Sequence, residues 1–287
     1  MSYVVYAWAA SITYGLGSII GKLATKYHIR NPWLYNFVWA FLTLVFIVPF
    51  ALINHVGFPQ DWTTIIWLGL ASAVSSITFT LAFYAVDLSI LSPLSNMRAP
   101  IAALFGVLLF HESLSLIQWG LIGLLFFAGL FIHVDERMSL KTFWTKATLL
   151  AFVWILTSVW FNAMIKTASA HNGYWEVSLW SSLITVLFLI PTIPLFIKDM
   201  KKTPVQNYSG IALCTMLYTA GLLFSIRALA INVSISMAII SVPLTLILTM
   251  LLSFIAPKLL EKHSFKIYLI RLTAATIMFA AALGLSR

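Results

Sequence analysis

The sequence predicts an all-α integral membrane protein: ten transmembrane helices arranged as two inverted five-helix repeats. Three observations carry that prediction. The chain of 287 residues is 61% hydrophobic and only 9% charged, with a mean hydropathy of +0.99. A soluble domain is roughly 45–50% apolar and about 25% charged. Ten windows are apolar over the roughly 20 residues that a bilayer crossing requires. Finally, the second half of the chain repeats the first, in register with the hydropathy.

The windows run 4–24, 33–53, 63–86, 90–110 and 116–133, then 146–168, 174–197, 207–230, 234–256 and 267–285. The first has no basic segment before it and is long enough to span, so it reads as a retained helix and not a cleaved signal. The connections are too short to hold a domain. The longest polar stretch, HVDERMSLKTFWTK from His133 to Lys146, divides the chain into repeats 1–137 and 138–287 within one membrane domain.

Window one lies over window six at an offset of 144, matching Ala7 with Ala151, Thr13 with Thr157, Lys22 with Lys166 and Ala24 with Ala168. At an offset of 142, Trp33 meets Trp175 and Pro49 meets Pro191, and at 143 Pro100 meets Pro243. The order of these identities is more informative than any one of them. Five helices is an odd number, so a second copy enters the membrane from the opposite side. Inverted repeats of this kind are a common transporter architecture, with the solute site near the midplane and access alternating between faces.

The net charge of +9 invites a nucleic-acid reading, but the Lys and Arg residues sit mostly at helix ends and not along one stripe. Connections one, five, seven and nine carry them: Lys26 and Arg30; Arg137 and Lys141; Lys198, Lys201 and Lys202; Lys258 and Lys262. By the positive-inside rule both termini then lie outside. The single cysteine, Cys214, cannot form an intrachain disulfide. No H-E-x-x-H, G-x-S-x-G or P-loop is present, so no enzyme, cofactor or metal site is expected. The partners expected are the bilayer and a small-molecule substrate, with monomer and dimer both open.

Arg98 is the most unusual residue. It lies in the middle of window four, about 12 Å and 18 Å from its ends at 1.5 Å per residue. A cation at that depth costs at least about 2.5–3.5 kcal/mol on insertion scales. Two readings are open: it contacts an anionic solute in a central cavity, or it satisfies carbonyls freed by Pro100. Its counterpart in the second half is Ser241. Pro100 and Pro243 would bend windows four and nine, the expected pointer to a midplane site. Window one carries Trp8, Ser11, Gly15, Ser18 and Lys22 on one face, with Tyr14 beside it, and Gly17 and Gly21 in a close-packing G-x-x-x-G. In window six, Trp154, Thr157, Ser158 and Phe161 share a face. Both faces suit either a packed bundle or the lining of a solute cavity. The candidate substrate contacts are therefore Arg98, Trp8, Ser11, Tyr14, Asn96, Trp154, Thr157, Phe161 and Ser241, from windows one, four, six and nine. Tyr84, Tyr218 and Arg227 are weaker candidates, and Arg227 is close enough to a helix end to reach the interface. No carboxylate lies deep in a window; Asp87 and Glu176 come nearest.

Ten helices as five plus five, with Lys22 and Lys166 ending the first helix of each half, resemble the EamA type of the drug/metabolite transporter superfamily. So does AFYAVDLSILSPLSNMRAPIAALFGVLLFHESLSLIQWG (Ala82 to Gly120): a Pro-containing fourth helix, Glu112 at its far end, then Gln118 and Gly120 opening the fifth. Glu261 is the counterpart of Glu112. The resemblance covers essentially the whole chain. It implies a multi-pass carrier of a small organic metabolite, such as an amino acid or other carboxylate-bearing solute, in the plasma (inner) membrane. It also implies cytoplasmic termini, against the charge distribution. Small multidrug resistance pumps, which resemble one half of this fold, use a Glu in their first helix; this chain has none there, which argues against a cationic-drug antiporter. A lipid or lipid-linked sugar flippase and a non-transporting accessory protein are the alternatives.

Overall fold

The computed structural model describes residues 2–27, 29–85, 97–131, 146–242 and 265–286. Among them there is no strand. The helices are α1 (Tyr3–Tyr27), α2 (Pro32–Ile53), α3 (Trp62–Ala85), α4 (Arg98–Phe110), α5 (Leu116–Phe131), α6 (Lys146–His171), α7 (Tyr174–Leu189), α8 (Ile197–Lys202), α9 (Ser209–Leu229), α10 (Val233–Ile240) and α11 (Phe265–Leu285). Among the described residues six stretches are long and apolar enough to cross a membrane: Tyr3–Gly21, Pro32–Ile53, Trp62–Ala85, Leu149–His171, Tyr174–Leu195 and Val205–Leu229. Arg98–Phe110, Leu116–Gly129 and Leu272–Leu285 are shorter apolar helices.

Two differences from the sequence reading have physical causes. Window seven is not one helix. Pro191 and Pro194 cannot donate to the ladder, so the chain tightens into a 3₁₀ turn over Ile190–Leu195 and resumes as the short α8. Pro100 sits in the first turn of α4, where a missing N–H is tolerated, and the neighbouring Ile101 N–H still reaches Met97 O at 3.3 Å. Pro243, Asn96, Asp87 and Glu261 lie outside the described residues, as does the side chain of Lys22.

The helix starts are chemically marked. Asn31 Oδ1 accepts from the N–H groups of Trp33 and Leu34 at the start of α2, which opens on Pro32. Asp61 Oδ1 does the same for Thr63 and Thr64 at α3. Ser115 and Gln118 exchange bonds at α5: the Gln118 N–H donates to Ser115 Oγ and the Ser115 N–H to Gln118 Oε1. Asn232 Oδ1 accepts from the Ile235 N–H at α10.

The most extensive helix packings each join one half of the chain to the other: α1 on α9, α3 on α6, α5 on α11, α3 on α7, α4 on α10 and α2 on α7. Two asparagines brace the connections. Asn172, after α6, accepts from the Asp61 N–H (2.9 Å) and donates to Asp61 O, Thr64 Oγ1 and Ala168 O. Asn31, after α1, donates to Asp199 Oδ2 (2.6 Å) and Leu195 O.

Candidate functional site

Six side chains from six helices form a chain of close contacts in the bundle interior. The Tyr14 ring of α1 lies 5.4 Å from Tyr218 of α9, and Tyr218 lies 4.8 Å from Trp39 of α2. Trp39 meets Phe79 of α3 at 5.7 Å, and Phe79 meets Trp154 of α6 at 5.1 Å. Over Trp154, at 4.8 Å from the ring centroid, sits the Arg98 guanidinium of α4. Tyr14 and Tyr218 are its electrostatic neighbours, which closes the circuit. Trp154 is buried, whereas Arg98, Tyr14, Trp39, Phe79 and Tyr218 keep part of their surface accessible although helices surround them. Such a ring offers one cation, flat apolar faces and a few hydroxyls.

The hydroxyls are held by neighbours. Ser18 Oγ and Tyr218 OH are 2.8 Å apart, and Tyr14 OH and Ser225 Oγ 3.1 Å. Thr157 and Thr78 share a hydrogen bond of 2.9 Å between α6 and α3. From Trp39 the aromatic contacts continue through Tyr35 to Tyr84, whose hydroxyl donates to Ile29 O.

The two tyrosines are seated by glycines. A Cβ at Gly17 would come within 2.7 Å of the Tyr218 ring, and one at Gly221 within 2.6 Å of Tyr14. Each helix thus provides the notch for the other's ring.

A second polar cluster lies at the far end of α4. The Glu112 carboxylate gathers four donors. Oε1 accepts from Lys166 Nζ of α6 (2.5 Å) and the Val233 N–H (2.8 Å). Oε2 accepts from the Ser234 N–H (3.0 Å) and hydroxyl (2.6 Å), at the start of α10. Burial alone would raise the Glu112 pKa. The donors from Lys166, Ser234 and Val233 outweigh it and hold the carboxyl below its ordinary value. Lys166 Nζ also lies 5.0 Å from the Phe110 ring centroid. Gly106 has no room for a Cβ against Ser234 and Glu112. His111 makes this close approach possible by taking a left-handed conformation (φ 52°) at the end of α4.

The family profile of EamA-like transporters matches residues 1–134. Over these residues the chain is similar to that family. No curated protein matches the sequence. A solved structure titled only "Crystal structure of protein" superposes with a TM-score of 0.72 over 99% of this chain and 94% of the other, at 12% identity. At that identity the likeness concerns the fold. The match to a membrane transporter family and the six helices long and apolar enough to cross a membrane both point to a multi-pass membrane protein.

Of the sequence candidates, Arg98, Tyr14 and Trp154 come together in the ring, with Thr157 one turn from Trp154. The other candidates lie elsewhere. Trp8 faces α11: its indole N–H donates to Ser286 Oγ at 3.1 Å and its ring lies 5.3 Å from Phe279. Phe161 packs against the apolar cluster of Ile65, Val159 and Met237. Ser241 is buried at the end of α10, donating to Ala238 O. Ser11 is buried, and its hydroxyl finds no hydrogen-bond partner among the described residues. Trp39 and Phe79 were not among the sequence candidates, and Tyr218 was a weak one. The ring draws on windows one, two, three, four, six and eight, where the sequence reading named one, four, six and nine. Arg227 is exposed near the end of α9 and lies over Tyr174 (4.1 Å) and Tyr6 (5.6 Å). Among the described residues no three His, Cys, Asp or Glu side chains are grouped as a metal site would require.

Proposed function

We propose that this EamA-like protein is a carrier that moves a small carboxylate- or phosphate-bearing metabolite across the plasma membrane by alternating access, with the ring around Arg98 as the solute site. The observation that carries this reading is Arg98, a partly accessible cation inside the bundle, with its guanidinium over Trp154 and at one end of a chain of aromatic contacts that draws on five other helices. The insertion cost of that cation is offset by Trp154, by the nearby Tyr14 and Tyr218 and by a solute anion when one is bound. An apolar solute body would lie against Trp39, Phe79 and Tyr218.

The inverted repeat, 1–137 and 138–287, belongs to the same proposal, and the packing supports it. Exchanging the halves turns α1-on-α9 into α6-on-α3 and α2-on-α9 into α7-on-α3, and all four packings are present. It also turns the Asn31–Asp199 brace into the Asn172–Asp61 brace. Two copies related in this way can exchange conformations, which is the basis of alternating access.

The test is a thermal-shift screen in detergent of wild type and Arg98→Ala against organic acids, amino acids, sugar phosphates, nucleosides and organic cations. A ligand that binds the native state raises its melting temperature by mass action. We expect anionic or zwitterionic solutes to stabilise the wild type only. Equal responses of the two proteins to the same solutes would overturn the assignment of Arg98.

A further inference from the structure

The Arg98 ring and the Glu112 cluster occupy the same two helices at two levels. Arg98 and Glu112 frame α4, while Trp154 and Lys166 lie on α6, 12 residues and so about 18 Å apart. At one level α4 meets α6 through a cation over a ring, and at the other through an ion pair. Between the levels the bundle is filled by Ala102, Val159, Ile226 and Met237, all buried, and by Asn162, whose amide donates to Met237 Sδ at 3.1 Å. This layer separates the ring from the face at which α1 begins and α11 ends. Glu112 lies at that face, ties α4 to α6 and α10, and uses both of its oxygens to do so.

We infer that the Glu112–Lys166–α10 cluster is the closure of the solute site on the terminus face, and that it must open for the ring to communicate with that side. The inference rests on the ring being the solute site. Its chemistry suits a closure. The ion pair sits beyond the end of α4 and near the end of α6, where Lys166 retains 20% of its side-chain exposure and Glu112 6%. Water arriving there can resolvate both partners when they part. A purely apolar seal would have to expose hydrocarbon instead. The N-terminus of α10 contributes two N–H groups that favour a carboxylate, so the closed state is held without a second cation.

The experiment is cysteine accessibility in full-length protein reconstituted in nanodiscs. The reporter is Asn162→Cys, in the sealed layer, and the probe is a cationic, membrane-impermeant methanethiosulfonate. The native Cys214, buried between α1 and α9, is the internal control, and mass spectrometry reads the two sites separately. Glu112→Gln and Lys166→Met should each raise the labelling rate at position 162 by at least tenfold while Cys214 stays protected. Lys166→Arg, which keeps the ion pair, should leave the rate at 162 slow. Unchanged labelling at 162 in both Glu112→Gln and Lys166→Met would overturn the closure. Equal acceleration at 162 and Cys214 would do the same, because it would mean general loosening. No solute enters this experiment, so its failure is distinct from a failure of the Arg98 assignment, which the thermal-shift screen reads.

Discussion

Gly17 and Gly221 decide how far two tyrosine rings stand into the central space. A methyl at Gly17 collides with Tyr218, and one at Gly221 with Tyr14. Overpacking of this kind costs about 1–3 kcal/mol when the core cannot yield. Here one direction is open, toward the partly accessible ring. Gly17→Ala is therefore expected to push Tyr218 inward and weaken solute-induced stabilisation more than it lowers the melting temperature. Adding Tyr218→Leu should restore the response to bulky solutes, as measured by the same thermal shift. Arg98→Lys keeps the charge but loses the flat surface that lies over Trp154, so it should bind anions more weakly than wild type. Isothermal titration would check this. Arg98 stood out in the sequence because a charge within an apolar window is rare. Trp39 and Phe79 did not, because an aromatic residue in such a window looks the same whether it faces lipid, core or solute. Trp8 shared a helical face with site candidates, yet a shared face does not say which neighbour it meets; Trp8 meets α11.

Helix ends carry most of the remaining polar chemistry. Asn172 holds the start of α3 through Asp61 and Thr64 from a buried position. Asn172→Ala leaves the Asp61 N–H and the Thr64 hydroxyl without this partner, and lost buried bonds of that kind cost about 1–3 kcal/mol. A drop in melting temperature without loss of solute response is expected. Glu112 makes stability depend on acidity. Its folded pKa lies below the unfolded value, so its contribution is fully present above the ordinary carboxylate range and is lost as pH falls through the folded pKa. Melting temperatures measured at descending pH should fall there, and Glu112→Gln should flatten the fall. At this scale the sequence was read well for long helices and poorly where proline intervened. Pro191 entered the sequence reading only as the counterpart of Pro49, and averaging hydropathy over window seven gave no sign that Pro191 and Pro194 would end its α-helix in a 3₁₀ turn. Gln118 was recognised through a resemblance, and its physical role is reciprocal capping with Ser115.

Across the whole molecule, the lysine and arginine asymmetry predicts both termini on the outer side. A C-terminal phosphatase fusion, active only outside, should be active, and a C-terminal fluorescent fusion that matures only in the cytoplasm should stay dark. The opposite pair of signals would place both termini in the cytoplasm. The packing of one half of the chain against the other was not legible in the sequence, because an offset in sequence says nothing about which helix lies against which. In the structure the largest packings all cross from one half to the other. Biogenesis inherits a constraint from this. As the nascent chain is inserted, the first five helices reach the bilayer before α6, α7, α9 and α11 exist to receive them. Assembly must therefore wait for the last helix, and a chain stalled after residue 145 should be a substrate for membrane proteases. Supplying residues 138–287 as a separate polypeptide should rescue it, since what each half lacks is the other and not the peptide bond between them.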